Sequence, residues 1–367
     1  MSRSRREFLQ LSGLLAAGLA LPARAQSPLK ILILGGTGFV GPHMVRYAVS
    51  RGHEVSIFTR GNRQLDVPGV EYLVGDRNDD HSALAGRSWD VVLDNNSRDY
   101  RWVQTSTELL KDVAEHYILI SSISAYAIEG FGYENWQRLL WEPTVDESTE
   151  RLTPPEGWSM GDEAAYGLTK ALSEDIVHAA FPNRCAIVRP GLIVGPGDPT
   201  DRFTYWPVRL EEGGKVLAPG NPNHANQIID QRDLTEWMIR LAEGRVAGDF
   251  NATGPNYRMT MSTMLGAIGS IVDSDYSIAW IPEQFLEQQN VAPWSDMPTW
   301  IPGDPLSFVS IERAVAAGLT FRTVEQTAQD TLMWDKGRPE EERQNRQAGL
   351  SRERESEIID AWENRSR

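Results

Sequence analysis

The segment Ile31–Gly41 constrains the fold of this chain more than any other part of its sequence. It opens with an apolar run of the length of a buried strand, continues with glycines spaced three apart and leads into a helical pattern. In such a strand–turn–helix, Gly35 allows the tight turn, Gly38 lets the backbone approach a pyrophosphate and Gly41 lets the helix pack closely, while the helix N-terminus offers free N–H groups to phosphates. The cofactor-binding residues predicted for this turn are Gly35, Thr37, Gly38, Phe39, Val40 and Gly41.

Strand and helix signals alternate through the first half of the chain. The apolar runs that predict the next five strands are Val55–Phe58, Glu71–Val74, Trp89–Leu93, Tyr117–Ile120 and Cys185–Val188. Apolar strands that alternate with helices predict an α/β fold with a Rossmann-type, doubly wound parallel sheet. Past residue 197, proline, glycine, tryptophan and asparagine become frequent, which predicts a smaller and less regular substrate-binding lobe.

A chain of 367 residues exceeds the usual size of a single core, so more than one unit is expected. The expected units are a nucleotide-binding domain (26–195), a mainly substrate-binding lobe (196–335) and a charged helical tail (336–367). A segment near residues 227–240 is expected to return to the main domain, with Gln227–Asp230 joining the main sheet. In the tail, Ser351 is predicted to cap the closing helix.

The formal net charge of −15 excludes several classes of partner. The first 25 residues carry four arginines and one glutamate, a net charge of +3, so the remainder carries −18. A body this acidic repels nucleic acid and anionic lipid surfaces. The single cysteine, Cys185, excludes an intramolecular disulfide, and the six histidines show no ligand-type spacing, so no metal site is predicted.

Residues 1–25 have the features of an export signal. Ser4–Gln10 resembles the bacterial twin-arginine motif, Leu11–Leu21 is apolar, and Ala23–Ala25 supplies small residues for cleavage. The apolar stretch is too short to span a bilayer comfortably, so no stable membrane anchor is predicted. We expect a periplasmic or secreted protein that uses the twin-arginine route, which carries folded proteins, with its dinucleotide bound before export.

The segment Tyr166–Lys170 holds the candidate catalytic side chains. A phenol and an ammonium group at positions i and i+4 share one face of a helix. Phenols are weak bases at neutral pH, and a nearby cation stabilises the phenolate, so this pair can move a proton. A lysine in this position can also hold the ribose of a nicotinamide nucleotide.

Together these features resemble the extended short-chain dehydrogenase/reductase family, the group of NAD-dependent sugar epimerases and dehydratases. The segments that carry the resemblance, within roughly residues 30–255, are Gly35–Gly41, Ser121–Tyr126, Tyr166–Lys170, Arg189–Gly197 and Asp230–Leu234. The resemblance implies that Tyr166 transfers the proton with Lys170 as its partner. It implies that Ser122 bonds the same substrate oxygen, with Ser124 the alternative because the local spacing can be aligned differently. It also implies a homodimer, since extended members are often dimers.

The resemblance further implies a redox reaction on a hydroxyl-bearing substrate. The nicotinamide takes a hydride while Tyr166 takes the proton, and the keto intermediate is reduced again on its other face, giving an epimer, or loses water. Because nucleotide sugars are scarce outside the cytoplasm, we expect a sugar, glycoside or related polyol as substrate and a tightly held cofactor that is recycled in each turnover. The alternatives are an NADP-dependent ketone or alcohol reductase and a non-catalytic nucleotide-binding relative of the same fold. Arg202 and Arg209 are candidates for binding a diphosphate, among aromatic residues more typical of a core.

The end of the second predicted strand departs from the pattern of NAD-preferring members, which usually place an acidic residue there. Thr59 and Arg60 occupy this position, and a hydroxyl followed by a guanidinium group suits a 2′-phosphate, which favours NADP over NAD. The alternative is an Arg60 that stacks on adenine or is simply solvated. Asp76 resembles the family's adenine-contacting aspartate, and Asn95 is expected to face the pyrophosphate or ribose.

Overall fold

The computed structural model describes residues 27–128 and 142–365. The strands in these residues are β1 (Lys30–Leu34), β2 (Glu54–Thr59), β3 (Glu71–Val74), β4 (Trp89–Asp94), β5 (Ala114–Ile120), β6 (Cys185–Pro190), β7 (Leu192–Val194), β8 (Gly214–Pro219), β9 (Ile228–Asp230), β10 (Gly248–Ala252) and β11 (Tyr276–Ile281). The α-helices are α1 (Gly41–Ser50), α2 (Tyr100–Leu110), α3 (Tyr166–Ala180), α4 (Tyr205–Glu211), α5 (Gln231–Gly244), α6 (Met261–Gly269), α7 (Glu283–Gln288), α8 (Glu312–Ala316), α9 (Val324–Lys336), α10 (Glu340–Gln344) and α11 (Arg352–Asn364).

Seven strands form one parallel sheet in the order β10-β6-β5-β4-β1-β2-β3. The chain adds β2 and β3 on one side of β1, and then β4, β5 and β6 on the other side. The strand order therefore reverses between β1 and β4, and the carboxyl ends of these strands form the crevice where open α/β sheets bind ligands. The predicted doubly wound parallel sheet is confirmed, and each predicted apolar run lies within its strand.

Both faces of this sheet are covered. Ile31 and Ile33 of β1 pack in a cluster with residues of α1 and α5, whereas Leu32 and Leu34 pack with residues of α2 and α3 on the other face. All four side chains are 0% exposed, and burying a side chain of this size stabilises the fold by about 1.5–3 kcal/mol. Burial on both faces explains why β1 is a continuous apolar run in the sequence.

One predicted return to the main sheet is wrong. Gln227–Asp230 does not join that sheet, because β9 pairs in parallel with β7 in a separate two-stranded sheet. The returning strand is β10, which pairs with β6, while α5 packs on the main sheet. Ile228 and Ile229 are buried in different clusters, so this run joins the two cores. An apolar run is buried in either sheet, and its pattern alone does not distinguish them.

The smaller lobe has a core of its own, built from β8, β11 and residues of α4, α6, α9 and α11. The predicted cap of the closing helix is confirmed: Ser351 Oγ accepts a hydrogen bond from the backbone N of Arg354 at 3.2 Å, and Ile358 and Ile359 of α11 are buried. Within the described residues, no helix is long and apolar enough to cross a membrane.

Candidate active site

A cleft of about 850 Å³ opens at the carboxyl ends of β1 and β4, where the strand order reverses. It brings together all but one of the residues that the sequence predicts for the cofactor and for catalysis. Those that line it are Gly35, Thr37, Gly38, Phe39, Val40, Thr59, Arg60, Asp76, Asn95, Ser122, Tyr166 and Lys170. The exception is Gly41, which begins α1 and is buried.

The three glycines of the opening turn that are spaced three residues apart differ in how strongly the structure requires a glycine. Gly35 has φ of +91°, a left-handed backbone that favours glycine. A Cβ on Gly41 would lie 2.3 Å from the carbonyl carbon and oxygen of Gly36, so α1 approaches the turn too closely for a side chain. A Cβ on Gly38 would meet no atom within 4 Å. Packing within the protein therefore requires glycine at position 41 but not at position 38.

The residues around this turn fit a dinucleotide. The N-cap residue of α1, Val40, makes no side-chain capping bond, and the first turn contains no acidic residue. Uncapped N–H groups at the positive end of a helix suit a pyrophosphate. Asn95 Oδ1 is buried without a hydrogen-bond partner among the described residues, while its Nδ2 contacts Sδ of Met44 at 3.4 Å. An unsatisfied buried acceptor at the cleft wall indicates a partner that the protein alone does not supply.

The part of the cleft at the end of β2 is rich in cationic groups. Arg60 and Arg63 line it and are exposed, beside the half-buried Thr59. Asp76 follows β3 and also lines the cleft, where its Oδ1 accepts hydrogen bonds from N and Nδ2 of Asn78 at 2.9 and 2.7 Å. Two guanidinium groups and a hydroxyl suit an anionic group of a ligand.

Lys170 is buried in the cleft wall, with 5% of its surface exposed. Its Nζ donates to Ser97 Oγ at 2.6 Å and to the carbonyl oxygen of Ile120 at 3.4 Å, which leaves one N–H for a ligand. Burial lowers the pKa of Lys170 to about 8, although the carboxylates of Asp94 and Glu174 act in the opposite direction. The ammonium group is therefore present at neutral pH, and its proton is held less firmly than that of an exposed lysine.

Tyr166 begins α3 and is 57% exposed, with its ring centroid 5.4 Å from Nζ of Lys170. A Cβ on Gly167 would lie 2.3 Å from the carbonyl oxygen of Ser124, so the start of α3 packs closely on the turn that follows β5. The two candidate serines, Ser122 and Ser124, differ in their position relative to the cleft. Ser122 lines the cleft, whereas Ser124 does not line it and its backbone N donates to Ser122 Oγ at 3.1 Å.

One part of the cleft wall, a buried ion pair, is missed by the sequence patterns. Arg77 donates to both carboxylate oxygens of Asp94 at 2.6 and 2.8 Å and to the carbonyl oxygen of Asn96 at 2.8 Å. The hydroxyl of Tyr117 donates to Asp94 Oδ2 at 2.7 Å, and burial holds the pKa of Tyr117 well above its usual value. The available signal was the run of polar residues at the carboxyl ends of β3 and β4, two strands that flank the β1–β2 pair in the sheet.

The model of the NAD dependent epimerase/dehydratase family matches residues 31–252 of this chain. The chain belongs to this family. The matched range runs from β1 to β10 and contains the glycine-rich turn, Ser122, Tyr166 and Lys170. The family assignment therefore covers the whole cleft, and an NAD-type dinucleotide is the cofactor that the family uses.

Two curated proteins and one solved structure illustrate the relatives of this epimerase/dehydratase family member. A chloroplast stem-loop binding protein of 41 kDa from Arabidopsis thaliana is 28% identical over 259 residues, 65% of this chain and 62% of that protein. A 2-alkyl-3-oxoalkanoate reductase from Stenotrophomonas maltophilia is 32% identical over 181 residues, 46% of this chain and 52% of that protein. The chain thus spans less than two thirds of the length of either one. The structure of a UDP-glucuronic acid 4-epimerase from Bacillus cereus in complex with NAD has a TM-score of 0.58 and 14% identity, over 84% of this chain and 99% of that one, which establishes a shared fold.

In this family member a second buried network lies beside the cleft, on the helix that carries Tyr166. Glu174 is 0% exposed and accepts hydrogen bonds from Nε and Nη2 of Arg189 at 2.9 and 2.7 Å and from Arg151 at 3.0 Å. It also accepts a hydrogen bond from Ser121 Oγ. Because Ser121 directly precedes Ser122, its contact with Glu174 of α3 fixes the backbone segment that carries the candidate serine.

The two arginines that the sequence offers for a diphosphate have different surroundings. Arg209 is 2% exposed and donates to Glu355 at 2.7 Å and to the carbonyl oxygen of Gly213 at 2.9 Å, so its predicted role is wrong and it is a structural residue. The guanidinium carbon of Arg202 lies 4.7 Å from the ring centroid of Trp294. The aromatic residues between the two arginines are buried in the core of the smaller lobe, as the alternative interpretation expects.

Proposed function

We propose that this chain is an NAD(P)-dependent oxidoreductase of the epimerase/dehydratase type that acts on a hydroxyl group of a sugar, glycoside or related polyol. One observation carries the proposal: Tyr166, Lys170 and Ser122 line the same cleft as the glycine-rich turn. Proton-transfer groups beside a dinucleotide-binding turn support the coupled movement of a proton and a hydride.

In the proposed reaction, Tyr166 accepts the proton of the substrate hydroxyl and later returns it. Its exposed ring is accessible from the cleft, and the charge of Lys170, 5.4 Å from the ring centroid, favours the phenolate. Ser122 Oγ accepts the N–H of Ser124, so the Ser122 hydroxyl hydrogen is available to donate to the substrate oxygen. The remaining N–H of Lys170 suits a ribose hydroxyl. A bound nicotinamide ring supplies the hydride acceptor and donor at C4.

We infer that the substrate leaves in a rearranged form with the cofactor restored. Loss of the hydroxyl proton and of the carbinol hydride converts the alcohol to a ketone. Return of the hydride to the opposite face and of the proton from Tyr166 gives an epimer with no net oxidation. Elimination of water from the ketone before the hydride returns gives a dehydrated product. Either sequence leaves the dinucleotide in its starting redox state.

Two measurements on the purified full chain test this proposal. Incubation with a panel of sugars and glycosides in deuterated water, without added nucleotide, is expected to give an epimer or a product with solvent deuterium in its carbon skeleton. Mass spectrometry of the small molecules released on denaturation is expected to identify NAD or NADP. Tyr166→Phe should lower the rate by about 10²–10⁴-fold without emptying the cleft, whereas the control Tyr257→Phe, at a tyrosine that is 56% exposed outside the cleft, should leave it unchanged. No product and no released nucleotide would refute the proposal.

A second candidate is an NADP-dependent ketone or alcohol reductase. It is supported by the 32% identity to the 2-alkyl-3-oxoalkanoate reductase and by Arg60 and Arg63 at the end of β2. For either candidate we infer a preference for NADP. Arg60→Ala is expected to weaken NADP binding about tenfold and to leave NAD binding unchanged, because only NADP offers a phosphate to the guanidinium group. Activity that requires added NADPH would favour the reductase, and equal affinity of the unaltered protein for NAD and NADP would remove the inferred preference.

We further propose that the chain is exported by the twin-arginine route with its dinucleotide already bound. The support is the Ser4–Gln10 motif and the apolar segment after it, within residues 1–26, which lie outside the described residues. Arg5→Lys combined with Arg6→Lys should retain the protein in the cytoplasm, as cell fractionation would reveal. Exported protein that is purified without nucleotide and depends on added cofactor would contradict the recycling of a bound one.

The proposed partners are small molecules. Stem-loop binding, for which the Arabidopsis relative is named, is not proposed for this chain because its net charge is −15 and nucleic acid binding needs basic surface. A mobility-shift assay with stem-loop RNA is expected to show no complex at physiological salt. The homodimer stays a prediction, and size-exclusion chromatography with light scattering tests it.

A further inference from the structure

The smaller lobe contains a second cavity at the carboxyl ends of β8 and β11, with a volume of about 570 Å³. An adjoining cavity of about 420 Å³ shares Glu283, Glu287 and Trp300 with it. Volumes of this size are typical of small-molecule sites. Among the described residues, none lines both this cavity and the cofactor cleft. The cavity is therefore a separate feature that the proposed redox chemistry does not use.

Polar groups of several kinds converge on this cavity. The side chains that matter for its chemistry are Asn221, His224, Gln284 and Glu287. No lysine or arginine is among the described residues that line it. The exposed carboxylate of Glu287 repels anions, so phosphorylated or carboxylated ligands are disfavoured. The indole of Trp300 is 2% exposed and packs against Gly220, where a Cβ would lie 3.2 Å from its Nε1.

His224 gives an independent indication of a ligand. Its backbone is fixed, because its N donates to the carbonyl oxygen of Asn221 at 2.9 Å and its own carbonyl oxygen accepts from the N of Met261 at 2.8 Å. Its ring atom Nε2 is buried and has no hydrogen-bond partner among the described residues. Burial lowers the pKa of His224 to about 4, so the ring is neutral at neutral pH. A neutral imidazole nitrogen without a partner is satisfied by a hydroxyl group, which can both donate and accept.

The carboxamide of Asn221 narrows the class of ligand. Its Oδ1 accepts the backbone N–H of Asn223 at 2.9 Å, so its NH₂ group is the part left to donate. The cavity thus offers amide donors from Asn221 and Gln284 together with the carboxylate acceptor of Glu287. An organic ammonium ion would satisfy the acceptors but not the donors, and an anion would do the reverse. Hydroxyl groups satisfy both.

We propose that this cavity binds a neutral, polyhydroxylated ligand, such as a sugar ring, at a site separate from the redox centre. The ring hydroxyls donate to Glu287 and accept from the Asn221 amide, and one of them pairs with His224. The binding step transfers no group and needs no cofactor, so it is independent of the proposed redox reaction.

The test is calorimetric titration of the full chain with methyl glucoside and methyl galactoside, with glucosamine and glucose 6-phosphate as charged probes. Glu287→Ala removes an exposed acceptor, and Asn221→Asp keeps the oxygen that binds Asn223 while it removes the donor. Each substitution is expected to weaken binding of the neutral glycosides about tenfold, the loss of one hydrogen bond to a charged or buried group. Glu341→Ala, at an exposed carboxylate of α10, is the matched control and should change nothing.

The outcomes separate this site from the catalytic one. The proposal is supported if Glu287→Ala and Asn221→Asp weaken glycoside binding but leave NAD(P) binding unchanged, and if glucose 6-phosphate does not bind. This result would stand even if no turnover is ever detected. Glucosamine that binds more tightly than the neutral glycosides, or glucose 6-phosphate that binds equally well, overturns the assigned ligand class. The site is overturned if no glycoside binding is detected at about 50 mM, which corresponds to a binding free energy weaker than about 2 kcal/mol. It is also overturned if neither variant changes glycoside binding.

Discussion

Gly38 and Gly41 lie three residues apart in the same turn, and the structure predicts opposite consequences for their replacement by alanine. A Cβ on Gly41 would lie 2.3 Å from the backbone of Gly36, whereas a Cβ on Gly38 would meet no atom within 4 Å. Neither glycine has a positive φ, so alanine is sterically allowed by the backbone at both positions. The difference between the two variants therefore reports packing in one case and the space reserved for a ligand in the other.

The expected magnitudes follow from these contacts. In Gly41→Ala the overlapping atoms belong to the backbone of the turn, which moves less easily than a side chain, so we expect a loss of about 1–3 kcal/mol in the free energy of unfolding. In Gly38→Ala the free energy of unfolding should stay within about 0.5 kcal/mol of the unaltered protein. Its affinity for NAD(P) should fall about 10–100-fold, because a methyl group at this point separates the pyrophosphate from backbone donors whose charge-assisted bonds contribute about 1.5–3 kcal/mol each.

Urea unfolding of the nucleotide-free protein and calorimetric titration with NAD and NADP measure the two quantities separately. Gly266→Ala in α6 is the matched control, since its Cβ would also meet no atom within 4 Å and it lies far from the cleft in the sequence. This variant should bind nucleotide normally and gain about 0.5–1 kcal/mol from the higher helix propensity of alanine.

The two variants can contradict the structure independently of each other. Unaltered nucleotide affinity in Gly38→Ala would mean that no phosphate approaches the turn at this residue, and the assigned orientation of the dinucleotide would be wrong. An unaltered urea midpoint in Gly41→Ala would mean that α1 does not pack against the turn as closely as the structure has it. Loss of both stability and binding in both variants would show that the turn tolerates no substitution, and the separation of roles would be refuted.

Three further predictions concern charged groups. Burial lowers the pKa of Lys170 from 10.5 to about 8, so between these pH values the unfolded chain binds more protons than the folded one. The free energy of unfolding of the unaltered protein, relative to that of Lys170→Met, should therefore rise by up to about 1.4 kcal/mol per pH unit in this range. Urea unfolding at several pH values between 8 and 10.5 measures this slope. Glu174→Gln should lower the free energy of unfolding by about 3–5 kcal/mol, as urea unfolding would measure, because it leaves Arg189 buried without its bidentate partner. Adding Arg189→Met should restore part of that free energy. A loss below about 1 kcal/mol in Glu174→Gln would contradict the network. Nε2 of His178 lies 3.1 Å from Oδ1 of Asp249, and this ion pair, assisted by Cys185, raises the pKa of His178 to about 10. The stabilising contribution of the pair is therefore complete below pH 6.5 and is lost as the pH rises through about 10. An NMR titration should detect the high pKa, and Asp249→Asn should lower it.

The central strands of the main sheet are predictable from the sequence because they are buried on both faces, which leaves a continuous apolar run such as Ile31–Leu34. The candidate catalytic and cofactor-binding residues that line the cleft could be identified because they lie on short segments whose spacing reflects a local geometry, as in Tyr166–Lys170 on one helix. The prediction for Gln227–Asp230 is wrong although it uses the same apolar signal that identifies β1 correctly. Its residues are buried, but burial does not specify which of two sheets they join.

The pairing of Arg77 with Asp94 is not predictable in this way because it depends on the order of the strands. The two residues follow β3 and end β4, which lie apart in the sheet with β1 and β2 between them, so the chain after β3 and the long guanidinium side chain together bridge the gap. The second cavity is harder still, since it combines residues 220–224, residues 282–287 and Trp300, three segments without a shared motif. A local pattern predicts a site only where one element supplies most of it.

Helix α3 explains how this fold can keep a cation beside the candidate catalytic tyrosine. Tyr166, Lys170 and Glu174 follow one another at four-residue spacing on one face, and their exposed fractions fall from 57% to 5% to 0%. The face therefore runs from the open cleft into the core. Burial disfavours the ammonium group of Lys170, but the carboxylates of Glu174 and Asp94 partly offset this cost, and folding fixes both before any ligand binds. The positive charge near the phenol is thus oriented before any ligand binds, and in the proposed reaction no reorganisation of the surroundings is needed for it to stabilise the transition state.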